Sequence, residues 1–236
     1  MSNKILILGD GLLGKELHTQ SGYDFISRRK DGFDITSKST YDHILAIKFG
    51  TIQYCPYDII INTIAYTDTY SEDKDQHWNV NYKGVADLVD FCNYWKIKLV
   101  HVVTDYIYAN SKENASEEDV PVHCENWYGY TKLLGDGYVQ LKCKNYLLIR
   151  STHKATPFLY DVAWKDQIGN FDYVDVIGKK ILDLINKDQV GIFNVGTELK
   201  SMYDLANETK KVMPALRPKN VPKNVSLNTK KMDKII

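Results

Sequence analysis

The sequence predicts a doubly wound α/β fold, in which helices cover both faces of one parallel sheet. Short apolar runs such as KILILG and YDIIINTIA recur along the chain, and amphipathic stretches of helical length separate them. These runs are apolar at consecutive positions, which is typical of strands that are buried on both faces. Strands of this kind that alternate with helices form a parallel sheet with right-handed crossovers.

The predicted elements follow one another in a regular order. KILILG predicts a strand that leads into a helix from about Leu12 to Gln20, and YDFISR predicts the second strand. After YDIIINTIA, a long helix is predicted from one apolar stripe, which consists of Val80, Val85, Leu88, Val89 and Cys92. KLVHVVTDYIY and NYLLIRST predict two further strands, with a helix at YGYTKLLGDGYVQLK between them. The aperiodic segment PALRPKNVPKNVSLNTKK predicts an extended stretch on the surface or over a cleft.

Composition and charge exclude several classes of protein. The 236 residues include 30 basic and 30 acidic side chains, so we expect no general affinity for nucleic acid. The N-terminal apolar run ends at Gly9 and is too short for a signal peptide, and we expect no membrane insertion. The 4 cysteines are widely spaced and the 6 histidines are scattered, which favours reduced thiols in a cytoplasmic protein without a metal site.

A glycine-rich turn follows the first strand, with the sequence Gly9-Asp10-Gly11-Leu12-Leu13-Gly14. In a GxGxxG turn the first glycine permits the tight bend and the second lets a pyrophosphate approach the backbone. The third glycine lets the helix pack close to the strand. The free N–H groups at the start of that helix favour phosphate. A strand before the turn and a helix after it make a dinucleotide site the favoured interpretation over a purely structural turn.

The residues after the second strand indicate which dinucleotide is preferred. Enzymes that bind NAD usually carry an acid here, about 20 residues after the turn, to bond the ribose 2′-hydroxyl. This chain instead has Ser27, Arg28 and Arg29, and a hydroxyl with two guanidinium groups suits a 2′-phosphate. We therefore predict NADP(H), with NAD(H) left open. Asp34 and Ile35 are weaker candidates for contacts that flank the adenine.

A possible acid–base group comes later in the chain. Thr104 ends the strand KLVHVVT, where ligands bind in open parallel sheets, and Tyr128 and Lys132 follow on one face of a helix. A nearby ammonium group lowers the pKa of a phenol, so Tyr128 is predicted to act as a general acid near neutral pH. The spacing of Tyr128 and Lys132 is common by itself. Its weight comes from the order of the glycine turn, the threonine and the Tyr-Lys helix.

Together these motifs resemble the extended short-chain dehydrogenases/reductases. More narrowly, the chain resembles the dTDP-4-dehydrorhamnose reductase family of sugar-nucleotide 4-ketoreductases, and the likeness covers nearly its whole length. The segments that carry this resemblance are ILGDGLLGKEL, INTIAYTDT, NVNYKGVADLVDFC, LVHVVTDYIY, YGYTKLLGD, DQIGNFDYVDVIGKKI and GIFNVGTELKSMYDLA. The resemblance implies an NADP(H)-binding Rossmann domain over residues 1–150. Residues 151–236 would form a reduced substrate lobe interleaved with the last Rossmann elements.

The resemblance also implies roles for residues at matching positions. Thr104, Tyr128 and Lys132 would be the catalytic trio, and Tyr128 and Lys132 would also touch the cofactor. Further cofactor contacts would come from Thr63, Ile64, Ala65 and Asn81. The residues that would end a strand facing nicotinamide and substrate are Arg150, Ser151 and Thr152. The candidate substrate contacts are Asp105, Tyr106 and His153. The implied reaction is reduction of the 4-keto group of a nucleotide-linked 4-keto-6-deoxy sugar by NADPH, in deoxysugar or surface polysaccharide synthesis.

The chain departs from the family pattern at three places. Its glycine turn is one residue shorter, His153 stands where a tryptophan is common, and the segment after Arg150 is short. Two alternatives therefore stay open. One is a sugar-nucleotide epimerase or dehydratase of the same superfamily. The other is a non-catalytic NADP(H)-binding regulatory subunit. The oligomeric state is also open, a homodimer included.

Overall fold

The structure is a computed structural model that describes residues 3–48 and 52–236. The strands found there are β1 Ile5–Leu8, β2 Asp24–Ile26, β3 Ala46–Lys48, β4 Ile52–Tyr54, β5 Ile59–Asn62, β6 Lys98–Val103, β7 Tyr146–Arg150, β8 His153–Lys154, β9 Val162–Trp164, β10 Ile168–Gly169, β11 Asp172–Tyr173, β12 Gly191–Asn194, β13 Lys200–Ser201, β14 Met213–Ala215 and β15 Asn224–Val225.

Eight α-helices accompany these strands within the described ranges. They are α1 Leu12–Ser21, α2 Arg28–Asp31, α3 Lys74–Trp78, α4 Gly84–Trp95, α5 Trp127–Lys142, α6 Val174–Asn186, α7 Met202–Thr209 and α8 Lys230–Asp233. A π-helical turn over Asn79–Lys83 joins α3 to α4, and 3-10 segments span Lys38–Ile44 and Asp105–Tyr108. None of the helices in the described part of the chain combines the length and apolar character needed to cross a membrane.

The main sheet confirms the predicted doubly wound fold. It has six strands in the order β12-β7-β6-β5-β1-β2, and all neighbouring pairs are parallel. From β1 the chain first adds β2 on one side and then returns to add β5 on the other. In open α/β sheets, ligands bind outside the carboxyl ends of the strands at such a reversal.

Each face of the main sheet packs against its own pair of helices. Leu6 and Leu8 of β1 point into a core shared with α4 and α5. Ile5 and Ile7 of the same strand point into a second core, shared with α1 and α6. This arrangement explains the consecutive apolar residues, because side chains alternate between two buried faces. On α4, the residues of the predicted stripe from Val85 to Cys92 are fully buried. Val80, in the π-helical turn, is only partly buried.

Most elements after β7 form smaller units beside the main sheet. They include the pairs β8-β11 and β9-β14 and the three-stranded sheet β13-β10-β15, which share a third core that contains Phe158, Phe171 and Leu205. However, α6 packs on the face that contains α1, and β12 joins the edge of the main sheet. The later elements are therefore interleaved with the main sheet.

The C-terminal segment differs from the prediction of an extended surface stretch. It contributes β14 and β15, and Val221, Val225, Leu227 and Met232 are almost fully buried. Val225, Leu227 and Met232 each lie in a core made by distant parts of the chain. Their spacing follows no local period, so the sequence pattern does not reveal their burial.

Candidate active site

The glycine turn between β1 and α1 has the geometry that a dinucleotide site requires. Gly9 has a φ of +105°, a conformation that side chains disfavour, and its N–H donates to the Ile26 carbonyl at 2.9 Å. A Cβ on Gly14 would lie 2.0 Å from the Gly9 carbonyl oxygen, so only glycine lets α1 approach β1 here. A Cβ on Gly11 would have no neighbour within 4 Å. The open side of the turn is therefore at Gly11, where a phosphate has room.

Two arginines lie at the end of β2, and each is paired with a carboxylate. Arg29 donates to Oδ2 of Asp10 through Nε at 3.1 Å and Nη2 at 2.9 Å. The Nε of Arg28 lies 3.3 Å from the Oδ2 of Asp34. Ser27 is buried, and its hydroxyl caps α2 by accepting the N–H of Lys30 at 3.2 Å. Both guanidinium groups are largely exposed, so a 2′-phosphate could reach them.

Three predicted cofactor residues serve mainly to support the site. Ile35 is 2% exposed and its side chain lies in the core, so it differs from the expected contact with adenine. Asn81 is fully buried, and its amide bonds both the N–H and the carbonyl of Tyr66 at 2.8 and 3.0 Å. Asn81 thus holds the loop after β5 in place. Ile64 in the same loop packs against the core.

A cleft of about 440 Å³ lies at the carboxyl ends of β1, β5, β6 and β7. Each of these strands delivers predicted site residues to it. The predicted residues that line the cleft are Gly11, Leu12, Leu13, Thr63, Ala65, Thr104, Asp105, Tyr106, Tyr128 and His153. Another cavity, of about 470 Å³, is lined by residues such as Asn170, Lys180 and Asn228 and contains none of the predicted site residues.

Tyr128 enters the cleft from the first turn of α5. The side chain of Asn126 caps this helix by accepting the Gly129 N–H at 2.7 Å, which fixes where α5 begins. Burial raises the pKa of Tyr128 to about 12, and a hydrogen bond with Thr104 partly opposes that rise. The structure therefore brings the predicted phenol and hydroxyl together. The expected lowering of the phenol pKa is not found in the protein alone, because the cost of burying a phenolate dominates.

Lys132 follows one turn later and is 2% exposed. Its Nζ donates to the Val102 carbonyl at 2.7 Å, and Lys132 is not among the groups that shift the pKa of Tyr128. Burial lowers the pKa of Lys132 to about 8, while the negative charge of Asp136 acts in the opposite direction. At neutral pH the side chain is therefore still mostly an ammonium group, with two N–H donors left over.

The wall of the cleft near Thr104 carries an unusual set of polar groups. Asp105 is 1% exposed, and its Oδ1 accepts from Thr152 at 2.5 Å and from Thr104 at 3.2 Å. Burial raises the pKa of Asp105 to about 6. Burial also lowers the pKa of His153 to about 4, so this ring is neutral at physiological pH. Tyr106 lies edge-on to Tyr128 with ring centroids 6.0 Å apart.

Ser151 and Lys154 also line the cleft, and Lys154 was not among the predicted contacts. Lys154 is the next residue after His153, and burial lowers its pKa. The hydroxyl of Ser151 is buried without a hydrogen-bond partner in the described part of the chain. Their only sequence signal is their position just after a strand that ends at the cleft. That signal does not distinguish side chains that face the cleft from those that face the core.

Arg150 differs from its expected position facing nicotinamide and substrate. Its guanidinium group is 1% exposed and forms two hydrogen bonds of 2.9 Å with the buried carboxylate of Asp136. It also donates to the hydroxyl of Tyr108. Because Asp136 lies on α5 and Arg150 on β7, the pair ties the helix that carries Tyr128 to the main sheet. In the described ranges, no cluster of three or more His, Cys, Asp or Glu side chains could hold a metal ion.

Comparisons with known proteins agree with this architecture. The family described as RmlD substrate binding domain matches residues 3–162. The spore coat polysaccharide biosynthesis protein SpsK of Bacillus subtilis is 26% identical over 225 residues, which cover 86% of this chain and 77% of SpsK. A dTDP-4-dehydrorhamnose reductase of Mycolicibacterium smegmatis is 28% identical over 143 residues, which are 58% of this chain and 41% of that protein.

Solved structures show the same fold. The dTDP-4-dehydrorhamnose reductase of Bacillus anthracis, solved in complex with NADP, superposes with a TM-score of 0.80 at 22% identity. The superposition covers 99% of this chain and 93% of that one. The chain therefore belongs to the RmlD substrate binding domain family, within the extended short-chain dehydrogenases/reductases, which are NAD(P)-dependent oxidoreductases.

Proposed function

We propose that the protein is an NADPH-dependent reductase of the 4-keto group of a nucleotide-linked 4-keto-6-deoxy sugar. The observation that carries this proposal is the meeting of Thr104 and Tyr128 in the same cleft as the open side of the glycine turn at Gly11. The names of the family relatives support a sugar nucleotide as the substrate class. The name of SpsK supports a place in polysaccharide synthesis.

The two cleft hydroxyls suit the proton chemistry of ketone reduction. Bound NADPH supplies the hydride to the carbonyl carbon. Tyr128 then donates its phenolic proton to the carbonyl oxygen as negative charge develops there. The Thr104 hydroxyl, which donates to Asp105 in the protein alone, turns to donate its hydrogen bond to the same oxygen. A pKa of about 12 keeps Tyr128 protonated at neutral pH, so the proton is present when the alkoxide forms. An alkoxide is a stronger base than a phenolate, so the transfer is downhill.

Lys132 is proposed to hold the nicotinamide ribose. Its buried Nζ is fixed by the Val102 carbonyl, which leaves two donors for ribose hydroxyls. At the other end of the cofactor, Arg28 and Arg29 favour the 2′-phosphate of NADPH. NADH stays open as a second cofactor, because each arginine already has a carboxylate partner.

The test is an NADPH-oxidation assay with dTDP-, UDP- and GDP-linked 4-keto-6-deoxyhexoses, followed by absorbance of the reduced nicotinamide. We expect turnover with at least one of them. Tyr128→Phe should lower kcat by about 10²- to 10⁴-fold, the usual contribution of a general acid. Tyr130→Phe is the matched control, because Tyr130 lies two residues further along α5 and packs against Trp127 and His123. Purified protein that oxidises NADPH with none of these sugars would refute the proposal.

The same preparation separates the two alternatives. An epimerase or dehydratase regenerates its nicotinamide within one catalytic cycle, so stoichiometric NAD(P) that survives purification would favour that class. A regulatory subunit would bind NADPH tightly without turnover. Its binding would be unaffected by Tyr128→Phe, and it would copurify with a stable partner protein.

A further inference from the structure

An acidic residue lies inside the glycine turn, next to the predicted 2′-phosphate site. Asp10 stands between Gly9 and Gly11, and its Oδ2 accepts both Nε and Nη2 of Arg29 at 3.1 and 2.9 Å. The hydrogen bonds with Arg29 hold the pKa of Asp10 below its usual range, so the carboxylate is charged at neutral pH. The ion pair therefore connects the turn that receives the pyrophosphate with the residues that receive the ribose.

The charges around this point nearly balance one another. Arg28 pairs with Asp34 at 3.3 Å, and the Asp31 carboxylate accepts the N–H of Ser27 at 2.8 Å. Lys30 lies over the ring of Phe25 at 4.4 Å from its centroid. Because each arginine already faces a carboxylate, a 2′-phosphate does not meet two free cations.

The geometry of the Asp10–Arg29 contact indicates competition with phosphate. Arginine binds phosphate best through two parallel N–H groups on one edge of its guanidinium plane. In this structure, Asp10 occupies the edge of Arg29 that is formed by Nε and Nη2. A 2′-phosphate must either displace the carboxylate or bind the remaining edge while Asp10 stays close and repels it. The ribose 2′-hydroxyl of NADH is different, because a carboxylate can accept its hydrogen bond.

We propose that Asp10 is a specificity-determining residue, whose carboxylate competes with the ribose 2′-phosphate for Arg29 and so narrows the preference for NADPH over NADH. The inference rests on the proposed function, which assigns the glycine turn and Arg29 to the cofactor. The opposite role is a positioning residue that aims Arg29 at the phosphate. The two roles predict opposite signs, because removing a competitor strengthens NADPH binding and removing a positioning residue weakens it.

The test measures dissociation constants of NADPH and NADH by nicotinamide fluorescence, without any sugar substrate, for the wild type and Asp10→Asn. Exposed ion pairs contribute up to about 1 kcal/mol, so Asp10→Asn should tighten NADPH about three- to fivefold and leave NADH unchanged or weaker. Asp42→Asn is the matched control, because Asp42 is an exposed carboxylate in the 3-10 segment Lys38–Ile44. Asp42→Asn removes the same charge, but no ion pair with an arginine is found for Asp42 in the described part of the chain. The ratio of the NADH and NADPH dissociation constants should therefore match that of the wild type.

Asp10→Ser is the second variant if Asp10→Asn does not fold, and Arg29→Gln tests whether Asp10 acts through Arg29. This exposed substitution should weaken NADPH about three- to fivefold with little effect on NADH. When Asp10→Asn is combined with Arg29→Gln, its effect on the ratio of the NADH and NADPH dissociation constants should fall to that of Asp42→Asn. An unchanged or lower NADPH preference in Asp10→Asn, or an equal rise in Asp42→Asn, would overturn the inference. Failure of the wild type to bind either nucleotide would overturn the proposed function together with it.

Discussion

The ion pair between Asp136 and Arg150 should be essential to the stability of the fold. The two side chains are 0% and 1% exposed, and both carboxylate oxygens accept from the guanidinium group at 2.9 Å. Asp136→Asn keeps the shape of the side chain and one acceptor oxygen. It removes the charge that neutralises Arg150. The arginine is then left as a buried cation without a counter-charge, bonded to the amide oxygen and to the hydroxyl of Tyr108.

The expected cost follows from this burial. Removing one member of a buried ion pair typically costs about 3–5 kcal/mol, because the other charge stays desolvated and uncompensated. One acceptor oxygen remains in Asp136→Asn, so we expect about 3 kcal/mol. Domains are commonly stable by about 5–15 kcal/mol, so the variant should still fold at 25 °C with a clearly lower urea midpoint. Urea denaturation followed by circular dichroism measures the difference.

A more exposed pair provides the control. The Nζ of Lys38 and the Oδ1 of Asp87 are also 2.9 Å apart, and the two side chains are 71% and 15% exposed. Asp87→Asn should therefore cost less than about 1 kcal/mol. A loss of stability in Asp136→Asn no greater than that in Asp87→Asn would refute the reasoning from burial. Because Asp136 and Tyr128 share α5, kcat should fall in Asp136→Asn if the helix shifts on the sheet.

Three further outcomes are expected. Gly14→Ala should lower the melting temperature by several degrees, because its Cβ would lie 2.0 Å from the Gly9 carbonyl, whereas Gly11→Ala should keep the fold and weaken NADPH binding in a fluorescence titration. Burial raises the pKa of Asp105 to about 6. The wild type therefore loses stability as the pH rises from about 4 to about 6, because the buried carboxyl group must ionise. The stability of Asp105→Asn relative to the wild type should therefore rise by about 3 kcal/mol between about pH 4 and pH 8, which urea melts can measure. Ser27→Ala should cost about 1 kcal/mol through loss of the α2 cap, and Ser27→Thr should restore most of it in the same melts.

Local patterns explain why much of the fold could be predicted. The alternation of apolar runs and amphipathic helices depends on neighbours within a few residues, and it indicated the parallel sheet that the structure confirms. The glycine turn is also a local signal, because Gly9 needs a positive φ and a Cβ on Gly14 would meet the Gly9 carbonyl in the same strand–turn–helix unit. The order of Thr104, Tyr128 and Lys132 placed them at one end of the sheet. The position of Arg29 after β2 is likewise a local signal, and its proposed contact with the ribose 2′-phosphate rests on that signal.

Only the tertiary structure shows which charged groups become partners when they lie far apart in the sequence. Arg150 pairs with Asp136 on another element, Arg29 turns to Asp10, and Lys132 bonds a strand carbonyl away from the Tyr128 phenol. These pairings determine the pKa values of the groups in and around the cleft and which cations are left to bind a ligand. They depend on burial and on distances of a few ångströms between separate elements. A sequence pattern records the spacing of residues along one element and carries no information on which side of a strand end meets solvent.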